Sequence, residues 1–282
     1  MEVVTKIAPI ALALIMLSLG LGLTRQDFVR VIKQPKDFIV GFASQIILLP
    51  IVAYILLKIF STPLEIAIGV MIIAAAPGGV TSNVLTKFAN GDVALSVSLT
   101  AIISLISIIS VPFIVFMSAD LLEISNISKE ISMIGISMKM FLVVTLPVLL
   151  GMVIRKFATN FITSRTLMIQ RISIILFAIV FAAIWVEEWE NIMSYIAQAG
   201  VITLVLNIVM MITGYYVAKF LASGVAQRKC ISLECGLQNG TLAVFVASQL
   251  FSDITFLIPT AAYALIMFIT SLIFVFFVKN IN

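Results

Sequence analysis

ECGLQNG, residues 234–240, sets one carboxylate, two carboxamides and two glycines inside a run that otherwise reads as membrane-buried helix. A charged group and two helix breakers are all unwelcome in hydrocarbon, so their meeting there needs a reason. Free backbone groups in lipid cost several kcal/mol each, and a broken helix survives only where it is buried in protein or lines a wet cavity. A second stretch has the same character. AAAPGGVTSN, residues 74–83, puts Pro77, Gly78 and Gly79 together in another apolar run. Pro removes a donor and clashes with the preceding turn, and Gly weakens what remains.

The two breaks share a register. Gly79 is followed 13 residues later by Asp92, and Gly240 is followed 13 residues later by Asp253. After each Asp comes another long apolar segment, ending in PFIVF and LIFVF respectively. This is the pattern of a duplicated unit with a discontinuous helix in each copy.

Composition agrees with burial in a bilayer. Of 282 residues, 62% are hydrophobic and 11% charged, against about 25% charged in a soluble domain. Mean hydropathy is +1.24. This reads as an integral membrane protein with no room for a separate soluble enzyme domain. The net charge of +4 comes from basic residues in short loops, so it is no nucleic-acid signal. Cys230 and Cys235 suggest neither a disulfide framework nor a zinc site. Histidine is absent, which removes the usual proton shuttle and the commonest metal ligand.

About 20 mostly apolar residues cross the hydrocarbon core as a helix. Nine spans are expected, at 7–23, 38–60, 66–88, 93–117, 131–154, 168–186, 193–218, 231–250 and 256–278. The first is read as a retained span, since no small-residue cleavage site follows it. The two breaks fall in the third and eighth spans. An odd offset between them means that the copies face opposite ways, an inverted repeat. Only four spans precede the five of the second copy, so the first copy lacks its opening helix. With the N-terminus outside, 13 of the 17 Lys and Arg lie on the cytoplasmic side. Lys6, Lys58, Lys129 and Lys139 are the exceptions, and the acidic runs at 118–130 and 187–190 fall outside. The positive-inside rule then gives an N-out, C-in protein of the cell inner (plasma) membrane.

Glu234 is the only charged residue between Cys230 and Ser252, and an intramembrane carboxylate is a functional-site candidate by default. Gln238 lies one turn on, with Asn239 after it. Ser82 and Asn83 follow the other glycine pair. Ser96 and Thr100 share a face of the next span, and Gln45 sits within the second. One carboxylate among neutral oxygens suits a hard cation. Mg²⁺ and Ca²⁺ want more negative charge, so Na⁺ fits best. The half-helix N-termini near Val80–Thr81 and Asn239–Gly240 carry positive dipole ends and favour an anion, with Asn239 as a donor. The bland readings are a Glu at the interface and Ser, Thr or Gln serving as interhelical glue.

PGGVTSNVLTKFANGDVALSVSLTAI and ECGLQNGTLA resemble the two broken-helix motifs of the bile acid:sodium symporter family, and GLGLTRQDFVRVIKQP (20–35) resembles its first cytoplasmic loop. The likeness runs over essentially the whole chain. Bacterial members have ten spans, and the resemblance implies that this chain starts at the second of them, as the mammalian liver and ileal carriers do. It implies an all-α membrane protein in which a panel (7–23, 131–154, 168–186) faces a core (38–60, 66–88, 93–117, 193–218, 231–250, 256–278), with the broken helices crossing. It implies a first sodium site at Ser82, Asn83, Ser96, Thr100 and Glu234. It implies a second at Gln45, Glu234, Gln238 and the carbonyls of Cys235 and Leu237. Substrate would meet Gly79, Val80, Thr81, Asn239 and Gly240, although this chain has Val80 where bacterial relatives can have a substrate-contacting Thr.

The expected function is sodium-coupled symport of an organic anion, bile-acid-like or a small carboxylate or sulfonate, by alternating access. The expected partners are that anion, Na⁺ and membrane lipid, with no cofactor, no nucleic acid and no obligatory protein partner. A cation/proton antiporter titrating Glu234 is the main rival. A membrane-embedded enzyme lacks a nucleophile–base pair, and a sensor lacks an output domain.

Overall fold

The computed structural model describes residues 2–33, 35–122, 132–187 and 192–281. Lys129 of the charge count, Ile131 at the start of the fifth expected span, residues 123–130 of one acidic run and 188–190 of the other lie outside these. Among the described residues the chain is almost entirely helical.

In chain order the helices are α1 (Glu2–Gly22), α2 (Arg25–Lys33), α3 (Pro35–Phe60), α4 (Leu64–Ala75), α5 (Val80–Phe88), α6 (Val93–Leu121) and α7 (Met133–Phe157). There follow α8 (Thr159–Thr163), α9 (Thr166–Glu187), α10 (Ile192–Leu221), α11 (Val225–Gly236), α12 (Gly240–Leu250) and α13 (Ile258–Val278). Seven helical segments among the described residues are long and apolar enough to cross a membrane: Val4–Gly22, Pro35–Phe60, Val93–Leu121, Met133–Phe157, Thr166–Val186, Ala199–Leu221 and Ile254–Val278. The expected spans 66–88 and 231–250 are not single rods. Each is two helices, α4 with α5 and α11 with α12, parted at Pro77–Gly79 and Leu237–Asn239.

Large apolar side chains stay exposed along the helices, among them Ile10, Ile55, Ile109, Ile175, Leu272 and Phe276. A soluble protein would not leave so much apolar surface uncovered. The helices begin where local chemistry satisfies their first amides. Asp92 accepts from Leu95 N at 3.0 Å ahead of α6, and Ser132 accepts from Gly135 N at 3.1 Å ahead of α7. Asp253 accepts from Thr255 N at 2.9 Å in the turn before α13. Each Asp that follows a break thus begins the next helical stretch.

Two segments expected as loops are helical. α2 is a short amphipathic helix and α8 a single turn or so. α3 and α7 each contain one wide π turn, at Ser44–Leu48 and Phe141–Thr145. Both stand just ahead of a proline, Pro50 and Pro147. Proline lacks the amide and crowds the carbonyl four residues back, and a π turn relieves that clash.

One end of the molecule is knitted together by polar contacts. Arg30 of α2 pairs with Asp92 at 2.6 Å, Gln227 donates to the same carboxylate at 2.9 Å, and Asp92 N donates to Ala226 O at 3.0 Å. Ser223 N donates to Asp37 at 2.7 Å, and Lys229 donates to Ile281 O at 2.9 Å. The turns that carry most of the basic residues therefore share this end.

α1 packs against α7 and α9 and also touches α12. Its crossing with α7 is glycine-dependent. A Cβ on Gly20 would lie 2.1 Å from Val148 O, and one on Gly151 would lie 2.4 Å from Leu17 O. Small residues permit such close backbone approach between membrane helices. Gly20→Ala is expected to destabilise the protein by about 1–3 kcal/mol, since the obstructing atom is backbone and cannot rotate away. Thermal unfolding in detergent measures this. An unchanged midpoint would mean that the helices do not cross there.

Candidate functional site

The two interruptions meet. Gly78 and Gln238 pair antiparallel, the only extended pairing among the described residues. Gly79 N donates to Leu237 O at 2.9 Å, and Asn239 N donates to Pro77 O at 2.7 Å. Backbone groups freed by the two breaks thus satisfy one another. Gly78 N finds Gln45 Oε1 at 3.1 Å, so the π turn that carries Gln45 also serves the crossing. Gly236 O accepts from Asn207 at 2.7 Å and from the Tyr263 hydroxyl at 3.1 Å. Thr270 donates to the other end of the Asn207 carboxamide at 2.6 Å. This second cluster was not foreseen; Asn207 within an apolar run was its only sequence signal.

The glycines serve close approach rather than unusual dihedrals. Gly79 is extended, with φ −85° and ψ 155°. A Cβ on Gly78 would stand 2.5 Å from Glu234 Oε2 and 3.2 Å from Gln45 Oε1.

Glu234 is fully buried on α11. Its Oε1 accepts from Ser82, from Ser96 at 2.5 Å and from Thr100 at 3.2 Å. Its Oε2 lies 3.2 Å from the Thr100 hydroxyl and 3.4 Å from Gln45 Nε2. Ser96 also contacts Asn83 Oδ1 at 2.8 Å. Of the five residues expected at the first site, Ser82, Ser96 and Thr100 hydrogen-bond the Glu234 carboxylate directly, and Asn83 joins the group only through Ser96; they are drawn from α5, α6 and α11. Their spacing explains why. Ser82 and Asn83 lie one turn past the first break, and Ser96 and Thr100 share a face of α6. Ser82, Ser96 and Thr100 are fully buried, and Asn83 is half-buried.

Of the residues expected at the second site, Gln45 reaches the other carboxylate oxygen, while Gln238 bonds the main-chain carbonyls of Glu234 and Cys235 rather than the carboxylate. Gln45 and Gln238 are buried. Gln238 Nε2 donates to Cys235 O at 2.9 Å, while Gln238 Oε1 is buried with no hydrogen-bond donor. Such an orphan acceptor calls for an explanation. Leu237 O already receives one amide, and a carbonyl oxygen has a second lone pair. No Lys or Arg pairs with Glu234, and no three of His, Cys, Asp and Glu come together, among the described residues. The donor set is one carboxylate and neutral oxygens, which suits a monovalent hard cation better than zinc or calcium.

Gly79, Val80, Thr81, Asn239 and Gly240 line a recess of about 40 Å³ on the far side of the crossing. α5 begins at Val80 and α12 at Gly240, as the breakers implied. Asn239 uses one lone pair of its side-chain oxygen on Leu242 N at 3.0 Å, capping α12, and its amino group remains as a donor for a ligand. Thr241, Gln170 and Ser173 also line the recess and were missed; a lone Thr, Gln or Ser in an apolar run carries little signal. Val80, Val84 and Gln170 continue into a second cavity of about 400 Å³, which runs between α1, α5, α6 and α9 towards the basic end.

A helical membrane protein with two crossing broken helices and a buried carboxylate among oxygens belongs with secondary transporters by its physics. Comparison with known sequences makes the assignment specific. The sequence model of the Sodium Bile acid symporter family matches residues 9–195, and the chain belongs to that family. It is similar to the uncharacterized sodium-dependent transporter YocS of Bacillus subtilis, 28% identical over 90% of this chain and 77% of that one. It is similar to the probable chloroplastic sodium/metabolite cotransporter BASS2 of Oryza sativa, 27% identical over 93% of this chain and 61% of that protein. It is also 25% identical to the ileal sodium/bile acid cotransporter of Cricetulus griseus, over 89% of this chain and 71% of the relative. The chain thus spans under two thirds of the plant protein's length and about three quarters of the other two. The family is one of sodium-dependent membrane transporters, and the resemblance read from the two broken-helix motifs is correct.

Proposed function

We propose that this protein is a sodium-coupled symporter that imports an organic anion by alternating access. The observation that carries this reading is the fully buried Glu234 with three hydroxyls and a carboxamide turned on it. A carboxylate in a membrane interior needs a counter-charge, and no basic side chain among the described residues supplies one.

In this reading both broken segments cross the membrane, which gives nine crossings, N-out and C-in, with the basic end cytoplasmic. The two halves form an inverted repeat. Matched capping by Asp92 and Asp253 after matched breaks supports it. α1, α7 and α9 make the panel, and α3–α6 with α10–α13 make the core. Ser82, Asn83, Ser96, Thr100 and Glu234 hold one Na⁺. Gln45, Glu234, Gln238 and the carbonyls of Cys235 and Leu237 hold a second, and the orphan Gln238 Oε1 favours that assignment. The anion's head meets Gly79, Val80, Thr81, Asn239 and Gly240. Sodium draws Glu234 and both broken segments into one arrangement, and the anion reads that arrangement from the opposite side of the crossing. With the basic end read as cytoplasmic, the cavity between α1, α5, α6 and α9 leads from the crossing towards the inside.

Two Na⁺ with one monovalent anion move one net charge inward, about 2.3 kcal/mol per 100 mV. Two tenfold Na⁺ gradients contribute roughly 1.4 kcal/mol each. For a monovalent anion the sum, about 5 kcal/mol, sustains accumulation of several thousandfold; a dianion would travel with no net charge, and the two Na⁺ gradients alone, about 2.8 kcal/mol, sustain roughly a hundredfold.

Ser96→Ala combined with Thr100→Ala removes two oxygens from Glu234. The Na⁺ concentration for half-maximal binding is expected to rise about tenfold or more. An unchanged titration would remove these residues from the ion site. Replacing Na⁺ by choline in proteoliposomes is expected to abolish uptake of whichever anion is carried. Undiminished uptake in choline would contradict coupling.

A further inference from the structure

The cavity that leads from the crossing is apolar along most of its wall, with Leu19, Val84, Phe88, Val93, Val97 and Leu167 among its residues. One charged side chain lines it, that of Lys87. Val80, Asn83, Val84 and Lys87 fall at i, i+3, i+4 and i+7 of α5, so one face of this helix runs the length of the passage. Lys87 is exposed, and its ammonium group makes no ion pair or hydrogen bond among the described residues. Arg30, by contrast, is held to Asp92 at the same end.

At the other end of the face is the small recess. Thr241, 1% exposed, lines it, and its buried hydroxyl has no hydrogen-bond partner. The first amides of α5 and α12 begin there, at Val80 and Gly240. The recess is too small for a whole organic molecule, but its volume exceeds what one water needs. It has room for an acid group. The seven residue steps from Val80 to Lys87 rise about 10 Å along α5.

We infer that the transported solute is an elongated organic dianion. One acid group seats against Thr241 at the crossing, the apolar spacer lies on Val80 and Val84, and the second acid group pairs with Lys87. This deepens the symport reading and rests on it. A short monoacid would use the recess alone and leave Lys87 facing water. A dianion gains a charge-assisted contact in a passage with apolar walls. The separation of the two polar ends makes the gain depend on length, which a diffuse positive field would not do.

The test is a thermal-shift and competition series on the purified full chain in Na⁺. The probes are straight-chain α,ω-dicarboxylates and monocarboxylates of graded length, bracketing an acid-to-acid span of about 10 Å. The dicarboxylates near that span are expected to bind about tenfold more tightly than monoacids of equal length. Lys87→Gln is expected to erase that advantage while leaving monoacid affinity and Na⁺-induced stabilisation intact, and Lys87→Arg to keep most of it. Three results overturn the inference: equal affinity for mono- and dianions, a dianion advantage without a length optimum, or an advantage that survives Lys87→Gln. If monoacids still bind in a Na⁺-dependent way, the symport reading stands and only the dianion is wrong. If no organic anion stabilises the protein with Na⁺ present, both fall.

Discussion

Glu234→Gln is expected to lose Na⁺-driven uptake entirely, with Na⁺ affinity reduced by on the order of 100-fold or more, while the protein still folds. Truncating the charge of a buried, hydrogen-bonded pair costs about 2–5 kcal/mol, and here the one carboxylate contributes to both proposed ion sites. The sign of the stability change separates this from simple damage. In choline the wild-type charge is buried without a cationic side chain, so a neutral carboxamide of the same shape should unfold at the same temperature or higher. Adding Na⁺ should then raise the wild-type midpoint and leave the variant's where it was. A variant that responds to Na⁺ as the wild type does would remove Glu234 from the site. One that fails to fold in choline would mark Glu234 as structural.

Gly78→Ala is the second substitution with a large expected effect. The added methyl would stand 2.5 Å from Glu234 Oε2 and 3.2 Å from Gln45 Oε1. It has no open side to move to, because Gly78 is buried and its own amide is tied to Gln45. Overpacking of this kind costs about 1–3 kcal/mol, and both oxygens that must give way belong to the proposed second ion site. Uptake is expected to fall at least tenfold, with a smaller loss of thermal stability, and Na⁺ stabilisation should fall with it. Normal uptake by Gly78→Ala would mean that the crossing is looser than the Gly78–Gln238 pairing implies.

The crossing was legible in the sequence because its two ingredients are expensive in lipid and rare by chance. Pro77–Gly78–Gly79 and Gly236–Gly240 could not sit inside apolar runs unless the freed backbone found partners. The one charge nearby, Glu234, named the chemistry. Ser82, Asn83, Ser96 and Thr100 stood out by their place after the break and by helical spacing, but their grouping with Glu234 came from the family resemblance. What lies between helices was not legible. Nothing in the linear order says that Asn207 and Tyr263 would meet at Gly236 O with Thr270 behind Asn207, or that Gly20 and Gly151 would let α1 and α7 touch backbone to backbone. Those contacts depend on which faces meet, and helices with apolar residues all round carry no stripe to announce it. The π turn at Ser44–Leu48 was hidden for another reason. Pro50 signalled trouble in α3, but a kink, a break and a wide turn are alternative responses to the same residue. Gln170 and Ser173 on α9 were missed because the polar residues near the breaks drew attention to the core side of the cavity alone.

Equilibrium binding of radiolabelled Na⁺ to the purified protein tests the proposed sodium sites most directly. Saturable binding approaching two ions per chain is expected, resistant to excess K⁺ and choline, and lost on Glu234→Gln. Binding that never saturates, or that persists unchanged in the variant, would contradict a sodium seat at the crossing of the two broken helices.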